Sequence, residues 1–305
     1  MAAKKPLNLP LAVAQVDRSA HFRSDQAYLN SNWPHSKVMI FTNERFAAQN
    51  NQILYLAGKS LGNYNDQTDY FLGTSESESF FVRHLAEESI FDFELKTLRE
   101  IGTFLSPKDI GLAVHAQGLA NWHQKHPMCS QCGSKTVVAS AGAIRKCLSD
   151  NSEHYPRTDG AIIVLVKDEL DRVLLGRQKV WPKNRFSTFA GFVEPGESFE
   201  NCVIREVAEE AGVRVQQMNY LGSQPWPFPA SLMIAFEAIT NTPELARPDG
   251  EEIEQIRWFT RAEMKQAIID NSLILPLEIS VARQMIKAWY GDGADIDLKG
   301  NESWR

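Results

Sequence analysis

One helical segment with a crowded acidic face constrains the fold of this 305-residue chain more than any other feature. Residues 199–211 place Glu206, Glu209 and Glu210 at i, i+3 and i+4, so the three carboxylates share one side of a helix. A neighbouring apolar stripe must face a core, and it consists of Val203, Val207 and Ala211. The segment therefore predicts a helix that holds three acids at the edge of a buried surface.

Three carboxylates this close repel one another by about 1 kcal/mol or more per pair, even at a high effective dielectric constant. A bound cation would remove that cost, and clustered oxygen ligands suit Mg²⁺ or Mn²⁺. Gly191, Pro195 and Gly196 make the preceding segment a tight loop, which brings Glu197 towards the helix face. The alternative interpretation is an ordinary solvated acidic face.

The whole segment favours the metal site. Residues 191–213 reproduce the Nudix box, GX5EX7REUXEEXGU, at every fixed position, including Glu197, Arg205 and Gly212. The chain therefore resembles a Nudix hydrolase, an enzyme that hydrolyses a nucleoside diphosphate linked to another group. That resemblance implies Mg²⁺ or Mn²⁺ held by Glu206, Glu209 and Glu210, and it assigns catalytic roles to Glu197 and Arg205 as well. It leaves open which glutamate acts as the base.

A proline-aromatic segment follows the box. Residues 223–231, SQPWPFPAS, carry three prolines at alternate positions, so we expect a rigid extended loop that displays Trp226 and Phe228 rather than a central strand. A polyproline ligand or a plain turn is the alternative. At this distance from a Nudix box, SQPWPFPxS resembles the signature of the NADH pyrophosphatase family.

This second resemblance implies cleavage of NADH or NAD⁺ to nicotinamide mononucleotide and AMP, and some family members also remove NAD caps from RNA. It further implies a homodimer with shared active sites. Tyr155 and Phe192 would stack around the nicotinamide, while Trp226 and Ser231 would come from the second subunit. Two further substrate contacts would be made by Gln224 of the motif and by the backbone of Ala282. Glu252 would be an additional Mg²⁺ or Mn²⁺ ligand, with its neighbour Glu251 as the alternative register.

A cysteine segment precedes the Nudix region. Cys129 and Cys132 form a CxxC pair, and after fourteen intervening residues Cys147 begins a second pair in which Asp150 replaces the fourth cysteine. The family's ribbon normally has CxxC, fourteen residues and CxxC, so we expect a structural Zn²⁺ bound by three cysteines and Asp150. His126 or His154 could replace Asp150, and the alternative without metal is a set of three buried thiols.

Patterning along the chain predicts the architecture. Apolar β-branched runs predict strands at 37–41 and 52–58, and Ser106 begins a capped helix that continues to about residue 125. The resemblance implies an α+β protein with an α/β/α Nudix sandwich and a mixed sheet. We expect an N-terminal domain at 1–125, a zinc-ribbon-like segment at 126–157, the Nudix domain at 158–290 and a tail at 291–305.

Composition excludes several other classes. The formal net charge of -6 and the pI near 5.7 argue against a general affinity for nucleic acid or anionic membranes. The longest apolar run, residues 161–166, is too short to span a bilayer, and the first thirty residues carry no signal-peptide pattern. We therefore expect a cytoplasmic protein without a membrane partner. The competing functions are hydrolysis of NADPH, ADP-ribose or another nucleoside diphosphate derivative, and a non-catalytic nucleotide sensor.

Overall fold

The computed structural model describes residues 6–13, 15–85 and 93–300. The chain forms two compact units. Among the described residues, the N-terminal unit contains those within 11–158 and 225–230, and the C-terminal unit contains those within 6–10, 159–224 and 231–300. In the described part of the chain, no helix is both long enough and apolar enough to cross a membrane.

The N-terminal unit is built around a mixed sheet. Its seven strands are β1 (Lys37–Thr42), β2 (Arg45–Gln49), β3 (Gln52–Ile53), β4 (Tyr55–Ala57), β5 (Asp69–Ser75), β6 (Glu78–Leu85) and β7 (Glu94–Thr97). The main order is β3-β2-β1-β6-β5, with β4 paired to β1 and β7 paired to β2. The strand predicted at 37–41 is confirmed as β1, whereas the one predicted at 52–58 is divided into β3 and β4.

The α-helices that accompany this sheet in the described part of the unit are α1 (Gln26–Asn32), α2 (Leu98–Ile101) and α3 (Pro107–Lys125). Helix α3 begins as predicted, because the Ser106 hydroxyl accepts a hydrogen bond from the Asp109 amide and Pro107 occupies the first helical position. A small antiparallel sheet follows α3, with the order β10-β9-β8. Its strands are β8 (Thr136–Ala139), β9 (Ile144–Cys147) and β10 (Glu153–His154).

The C-terminal unit has a six-stranded mixed sheet with the order β14-β15-β11-β12-β16, and β13 pairs with β11. The strands are β11 (Asp159–Lys167), β12 (Val173–Gln178), β13 (Phe189–Phe192), β14 (Val215–Trp226), β15 (Ser231–Thr240) and β16 (Ile253–Phe259). Strand β11 runs parallel to β15 and antiparallel to β12. The helices are α4 (Phe199–Ala211), α5 (Arg261–Ile269), α6 (Val281–Tyr290) and α7 (Ala294–Asp297).

Both faces of this sheet are covered, because alternate residues of β11 enter different cores. Ile163 and Leu165 pack in a cluster with residues of α5 and α6, whereas Ile162, Val164 and Val166 pack in a cluster with residues of α4. The expected α/β/α sandwich with a mixed sheet is therefore confirmed, within an α+β chain.

Two segments differ from the simplest expectation. The segment predicted as an extended loop begins as strand, because β14 continues through Pro225 to Trp226. This is compatible with proline, since β14 lies at the sheet edge, where a missing backbone donor costs little.

The predicted tail contains helix α7 within residues 291–300, and its Leu298 is buried in the core of the C-terminal unit. Residues 301–305 lie outside the described residues. The other predicted domain boundaries stay predictions.

The N-terminal unit contains a buried ion pair, and a substitution in this pair tests how much it stabilises the fold. The Asp69 side chain is fully buried and accepts hydrogen bonds from Arg83 Nε and Nη2, both at 2.6 Å. We expect Asp69→Asn to lower the free energy of unfolding by about 3 kcal/mol, because the Arg83 guanidinium would remain largely buried without its counterion. Chemical denaturation followed by circular dichroism would measure the change.

The control is Glu94→Gln. The Lys96–Glu94 pair lies 3.6 Å apart, and its glutamate side chain is 64% exposed. Its loss should change the free energy of unfolding by less than about 0.5 kcal/mol. Equal effects of the two substitutions would show that burial does not set the strength of the Asp69–Arg83 interaction.

Candidate active site and thiol cluster

Helix α4 carries the predicted acidic site. The Ser198 hydroxyl caps its first turn by accepting from the Asn201 amide, and Gly212 ends it with a left-handed conformation, at φ 69°. The predicted apolar stripe of Val203, Val207 and Ala211 is buried, and Cys202 is buried beside it. This packing fixes the orientation of the neighbouring acidic face.

Arg205 connects three of the acids. Its Nε and Nη2 donate to the two carboxylate oxygens of Glu197, each at 2.9 Å. Its Nη1 donates to Glu206 at 2.7 Å and to Glu209 at 3.1 Å, and its Nη2 also donates to the Phe192 carbonyl. The hydrogen bonds from Arg205 lower the pKa of Glu197 to about 2, so this carboxylate is ionised at neutral pH. One guanidinium thus joins the loop before α4 to the acidic face of α4.

Gly191 is required by the position of Glu206. A Cβ atom at residue 191 would overlap the Glu206 carboxylate, whereas one at Gly160 in the adjacent strand β11 would meet Val193 and Phe199 at 3.8 and 3.9 Å, which is ordinary van der Waals contact. Strand β13 therefore passes directly beneath the acidic face of α4. The glycine of the motif allows that close approach because it has no side chain.

The three box acids occupy different environments. The Glu209 side chain is 60% exposed, whereas Glu210 is 4% exposed. Burial, together with the charges of Glu252 and Glu206, raises the pKa of Glu210 to about 8. Its Oε2 atom is buried and has no hydrogen-bond partner among the described residues. Burial also raises the pKa of Glu206. The site therefore contains an excess of carboxylate that lacks a compensating positive charge.

Glu252 belongs to the same electrostatic environment. It is the last residue before β16 and accepts a hydrogen bond from Gln178 at 2.6 Å, and its charge acts on both Glu206 and Glu210. These interactions favour Glu252 over its neighbour Glu251 as the downstream acid. Gln178 was not anticipated, because only the pairing of β12 with β16 brings it to this position.

The predicted zinc ligands converge in the N-terminal unit. The ligand atoms of Cys129, Cys132, Cys147 and Asp150 all lie within 4.8 Å of one another, and this is the only such group of three or more within residues 6–13, 15–85 and 93–300. The sulfurs of Cys132 and Cys147 are 3.5 Å apart, and Cys129 Sγ lies 3.3 Å from Asp150 Oδ2. Since Zn–S bonds are about 2.3 Å long, tetrahedral ligands would lie roughly 3.8 Å apart. The observed separations are close to that value.

The position of Asp150 follows from local hydrogen bonds. Its Oδ1 accepts from the amide and the hydroxyl of Ser152, at 2.9 and 2.5 Å, so its Oδ2 faces the Cys129 sulfur. His126 and His154, the predicted alternatives to Asp150, are not in the group. Cys129 and Cys147 are buried but Cys132 is exposed, so the alternative of three buried thiols is wrong for Cys132.

The predicted aromatic contacts are divided between the two units. Tyr155 in the N-terminal unit is 67% exposed and donates a hydrogen bond to Glu153, and Phe192 in the C-terminal unit is 60% exposed. Both rings therefore have surface available to a ligand. Ser231 and Ala282 are in the C-terminal unit, where Ser231 begins β15 and Ala282 is buried in the first turn of α6. Their predicted substrate contacts, like those of the two rings, stay predictions.

The proline-aromatic turn is held by α3. Gln117 Nε2 and Asn121 Nδ2 donate to the Pro227 carbonyl at 2.8 and 3.0 Å, and Asn121 also donates to the Pro229 carbonyl. Within the turn, the rings of Trp226 and Phe228 meet edge to face at 4.7 Å. Sequence reasoning missed the roles of Gln117 and Asn121. The available signal was their i, i+4 spacing on a largely buried helix.

Gln224 does not lie on a surface. Its side chain is fully buried and donates to the Ile279 carbonyl at 3.0 Å, which joins β14 to the segment before α6. A substrate contact by Gln224 would require this side chain to become exposed. Its structural role was not predicted.

Comparisons with known proteins agree with this geometry. Residues 156–276 match the NUDIX domain, and residues 124–155 match the NADH pyrophosphatase zinc ribbon domain. The chain is 36% identical over 288 residues to a protein from Mycobacterium bovis named NAD-capped RNA hydrolase NudC, and the match covers 90% of this chain and 92% of that relative. The chain belongs to the NADH pyrophosphatase family of Nudix hydrolases.

Two further similarities are more partial. The human protein named NAD-capped RNA hydrolase NUDT12 is 37% identical over 197 residues, which cover 61% of this chain and 42% of that protein. The crystal structure of a NUDIX hydrolase from Nitrosomonas europaea matches 45% of this chain and 78% of its own, with 23% identity and a TM-score of 0.39.

Nudix hydrolases use divalent metals. The unpartnered Glu210 oxygen lies in an oxygen-rich environment with Glu206 and Glu252, which fits a hard cation such as Mg²⁺ or Mn²⁺. The thiol cluster provides sulfur ligands with tetrahedral spacing, which fits Zn²⁺. The two groups of side chains therefore differ in ligand chemistry, with oxygen atoms in the acidic site and mainly sulfur atoms in the thiol cluster.

We expect Gly191→Ala to lower the rate of pyrophosphate hydrolysis about a hundredfold, because the new methyl group displaces the Glu206 carboxylate by about 1 Å or more. Gly160→Ala adds the same methyl group to the adjacent strand at ordinary contact distance, so its rate should stay within about twofold of the unchanged enzyme. Initial-rate assays and thermal denaturation of both variants measure the effects. Equal rates for the two variants would contradict the inferred role of Gly191.

Proposed function

We propose that this Nudix hydrolase cleaves the pyrophosphate bond of NADH and NAD⁺ and releases nicotinamide mononucleotide and AMP. The observation that carries the proposal is the complete acidic site: Glu206, Glu209 and Glu210 on α4, with Glu252 nearby and Glu210 Oε2 buried without a partner among the described residues. A regulator that only senses nucleotides would not need to preserve this costly set of charges. The intact SQPWPFPAS segment and the names of the relatives support the dinucleotide as substrate.

The reaction requires water to add to one phosphorus atom while the bridging P–O bond breaks and the leaving phosphate departs with its oxygen. A divalent ion, Mg²⁺ or Mn²⁺, supplies charge neutralisation and a more acidic water at such a site. We propose Glu206, Glu209, Glu210 and Glu252 as its ligands. Arg205 would orient Glu197, Glu206 and Glu209, because all three accept its hydrogen bonds. One glutamate of the set would accept the proton of the attacking water.

The nicotinamide would be recognised by aromatic stacking. We propose that Tyr155 and Phe192 provide the stacking surfaces, since both are exposed. Trp226 and Ser231 would complete the site from the second subunit of a homodimer. The backbone of Ala282 would add one contact. Gln117 and Asn121 would act as positioning residues for the Trp226 turn through the carbonyls that they bind.

NAD-capped RNA is a second candidate substrate, because both curated relatives described above carry that activity in their names. The same cleavage at the cap would release nicotinamide mononucleotide and leave a 5′-monophosphate on the RNA. The net charge of -6 favours recognition of the cap over a strong grip on the RNA backbone.

Initial rates of the purified chain on NADH, NAD⁺, NADPH, ADP-ribose and NAD-capped RNA, with Mg²⁺ or Mn²⁺, test the proposal. We expect NADH or an NAD-containing substrate to turn over at least about tenfold faster than ADP-ribose, because only the former offers a nicotinamide ring for stacking. Turnover of ADP-ribose at an equal or higher rate would overturn the assignment of a nicotinamide substrate.

The same assay applied to Glu209→Gln identifies the metal site. We expect at least about a hundredfold loss of turnover, because an ionised ligand is replaced by a neutral amide. Glu200→Gln is the matched control, since Glu200 is exposed in the first turn of the same helix and should leave the rate unchanged. Retention of activity by Glu209→Gln would exclude its carboxylate as an essential ligand.

We also propose that Cys129, Cys132, Cys147 and Asp150 bind one structural Zn²⁺ per chain. Metal analysis of gently purified protein should find about one zinc, and Asp150→Ala should lower the zinc affinity at least about tenfold by removing a ligand. Asp150→Cys should retain zinc with a four-thiolate set, and Ser149→Ala should behave like the unchanged protein. Less than a few tenths of a zinc per chain in the unchanged protein would contradict the site.

A further inference from the structure

A cavity of about 230 Å³ in the N-terminal unit lies outside every site described above. Side chains with hydrogen-bonding groups form most of its lining: Gln67, Tyr70, His84, His123, Gln124 and Arg145. The lining residues of the described chain include no aspartate or glutamate. The lining therefore carries a single permanent charge, which is the positive charge of Arg145.

The Arg145 side chain is buried, with 8% of the residue exposed, and its hydrogen-bond partners are neutral. Its Nε donates to the Thr136 hydroxyl at 2.6 Å, its Nη2 to the Thr136 carbonyl at 2.8 Å, and its Nη1 to His123 Nδ1 at 3.2 Å. A guanidinium has five N–H donors, so two remain without a partner within the described residues. No carboxylate in that part of the chain pairs with it, and a buried cation without an anion is costly.

His123 cannot offset or share this charge. Its Nε2 lies 2.8 Å from the Gly142 carbonyl, which only accepts, so Nε2 carries the proton and Nδ1 is free to accept from Arg145. Burial lowers the pKa of His123 to about 3, which keeps the ring neutral. Arg145 is thus held rigidly between Thr136 and His123, with its orientation already set.

The groups beside Arg145 in the cavity carry no negative charge that could compensate it. The Tyr70 hydroxyl lies 3.2 Å from His84 Nδ1, and burial lowers the pKa of His84. Asp69, which acts electrostatically on Tyr70, is already paired with Arg83 through two hydrogen bonds of 2.6 Å. The Asp69 carboxylate therefore compensates Arg83 and not Arg145.

The mouth of the cavity is shaped by two glutamines. Gln67 is exposed, and its side-chain amide both donates to the Val138 carbonyl, at 3.1 Å, and accepts from the Val138 amide, at 3.0 Å. These two hydrogen bonds fix the Gln67 side chain against the edge of β8. Gln124 is exposed at the end of α3 and can adjust to a ligand. The cavity thus has a rigid interior and an open side.

From these observations we propose that the cavity binds a phosphate group, as inorganic phosphate or as the terminal phosphomonoester of a small molecule. The Arg145 fork matches two phosphate oxygens, and a phosphate in its monoanionic form would neutralise the buried charge. The volume lies below the roughly 300–1,000 Å³ of pockets for drug-sized ligands, so it fits a phosphate or a small phosphorylated molecule rather than a dinucleotide. The ligand would stabilise the N-terminal unit independently of the hydrolase reaction.

The test is isothermal titration calorimetry of the full chain, without added divalent metal, at constant ionic strength. Inorganic phosphate and ribose 5-phosphate are the two ligands, and they distinguish a free phosphate from a phosphomonoester. We expect binding of at least one of them, a loss of at least about tenfold in affinity for Arg145→Met, and a smaller loss for Arg145→Lys, which keeps the charge without the fork.

Lys146→Met is the matched control, because Lys146 is the next residue of β9 and points to the opposite face of the small sheet. It removes the same charge and should leave the affinity within about twofold of the unchanged protein. Since the acidic site of the C-terminal unit is identical in all variants, any phosphate bound there contributes equally to each. If Arg145→Met does not fold, as judged by circular dichroism, the comparison of Arg145→Lys with Lys146→Met decides in its place. No measurable heat with either ligand up to about 10 mM, or equal affinity in the Arg145 variants and Lys146→Met, would overturn the proposal.

Discussion

The acidic site depends on one guanidinium. Arg205 donates to three carboxylates on two consecutive elements, and these hydrogen bonds hold the loop before α4 against the helix. Without a cation at this position, Glu206 and Glu209 would repel each other across one turn of α4. Arg205 therefore makes the acidic face compatible with a folded protein. Gly191 has no side chain, so β13 can pass close to the Glu206 carboxylate without overlapping it.

The helical and buried elements could be predicted from sequence because their signals are local. The apolar stripe of α4, the cap of α3 at Ser106 and the β-branched character of β11 each depend on residues within one element. The extent of β14 could not be predicted from such local signals. Three prolines correctly excluded a central strand, but only the sheet order shows that Pro225 lies in an edge strand. Likewise, helical spacing placed three acids on one face, but it could not show that Glu210 is buried while Glu209 is exposed.

Contacts between residues distant in sequence were beyond that approach. Gln117 and Asn121 bind carbonyls about a hundred positions later in the chain, and no local pattern connects the two segments. The thiol cluster could be predicted, because the spacing of its members in the sequence is enough to indicate a shared site. The structure also explains its unusual second turn. Asn151 adopts φ 62° where Gly133 adopts φ 75°, and asparagine is among the residues that tolerate this left-handed conformation. The turn geometry is thus preserved although Asp150 and Asn151 stand where the first half has Cys132 and Gly133.

The pKa of Glu210 affects both the stability of the fold and the affinity of the site for a cation. Its pKa in the folded chain is raised to about 8, above the value expected when the chain is unfolded, so the folded state favours the protonated carboxyl. In the absence of a cation, ionisation of Glu210 therefore reduces stability as the pH rises above the unfolded pKa, and the full cost is reached above the folded pKa. A cation beside Oε2 would reverse this balance, because it favours the ionised form and compensates the charges of Glu206 and Glu252. The carboxyl that is most costly to the metal-free fold is thus the one that would gain most from metal binding, which is the relation expected of a site organised around an ion.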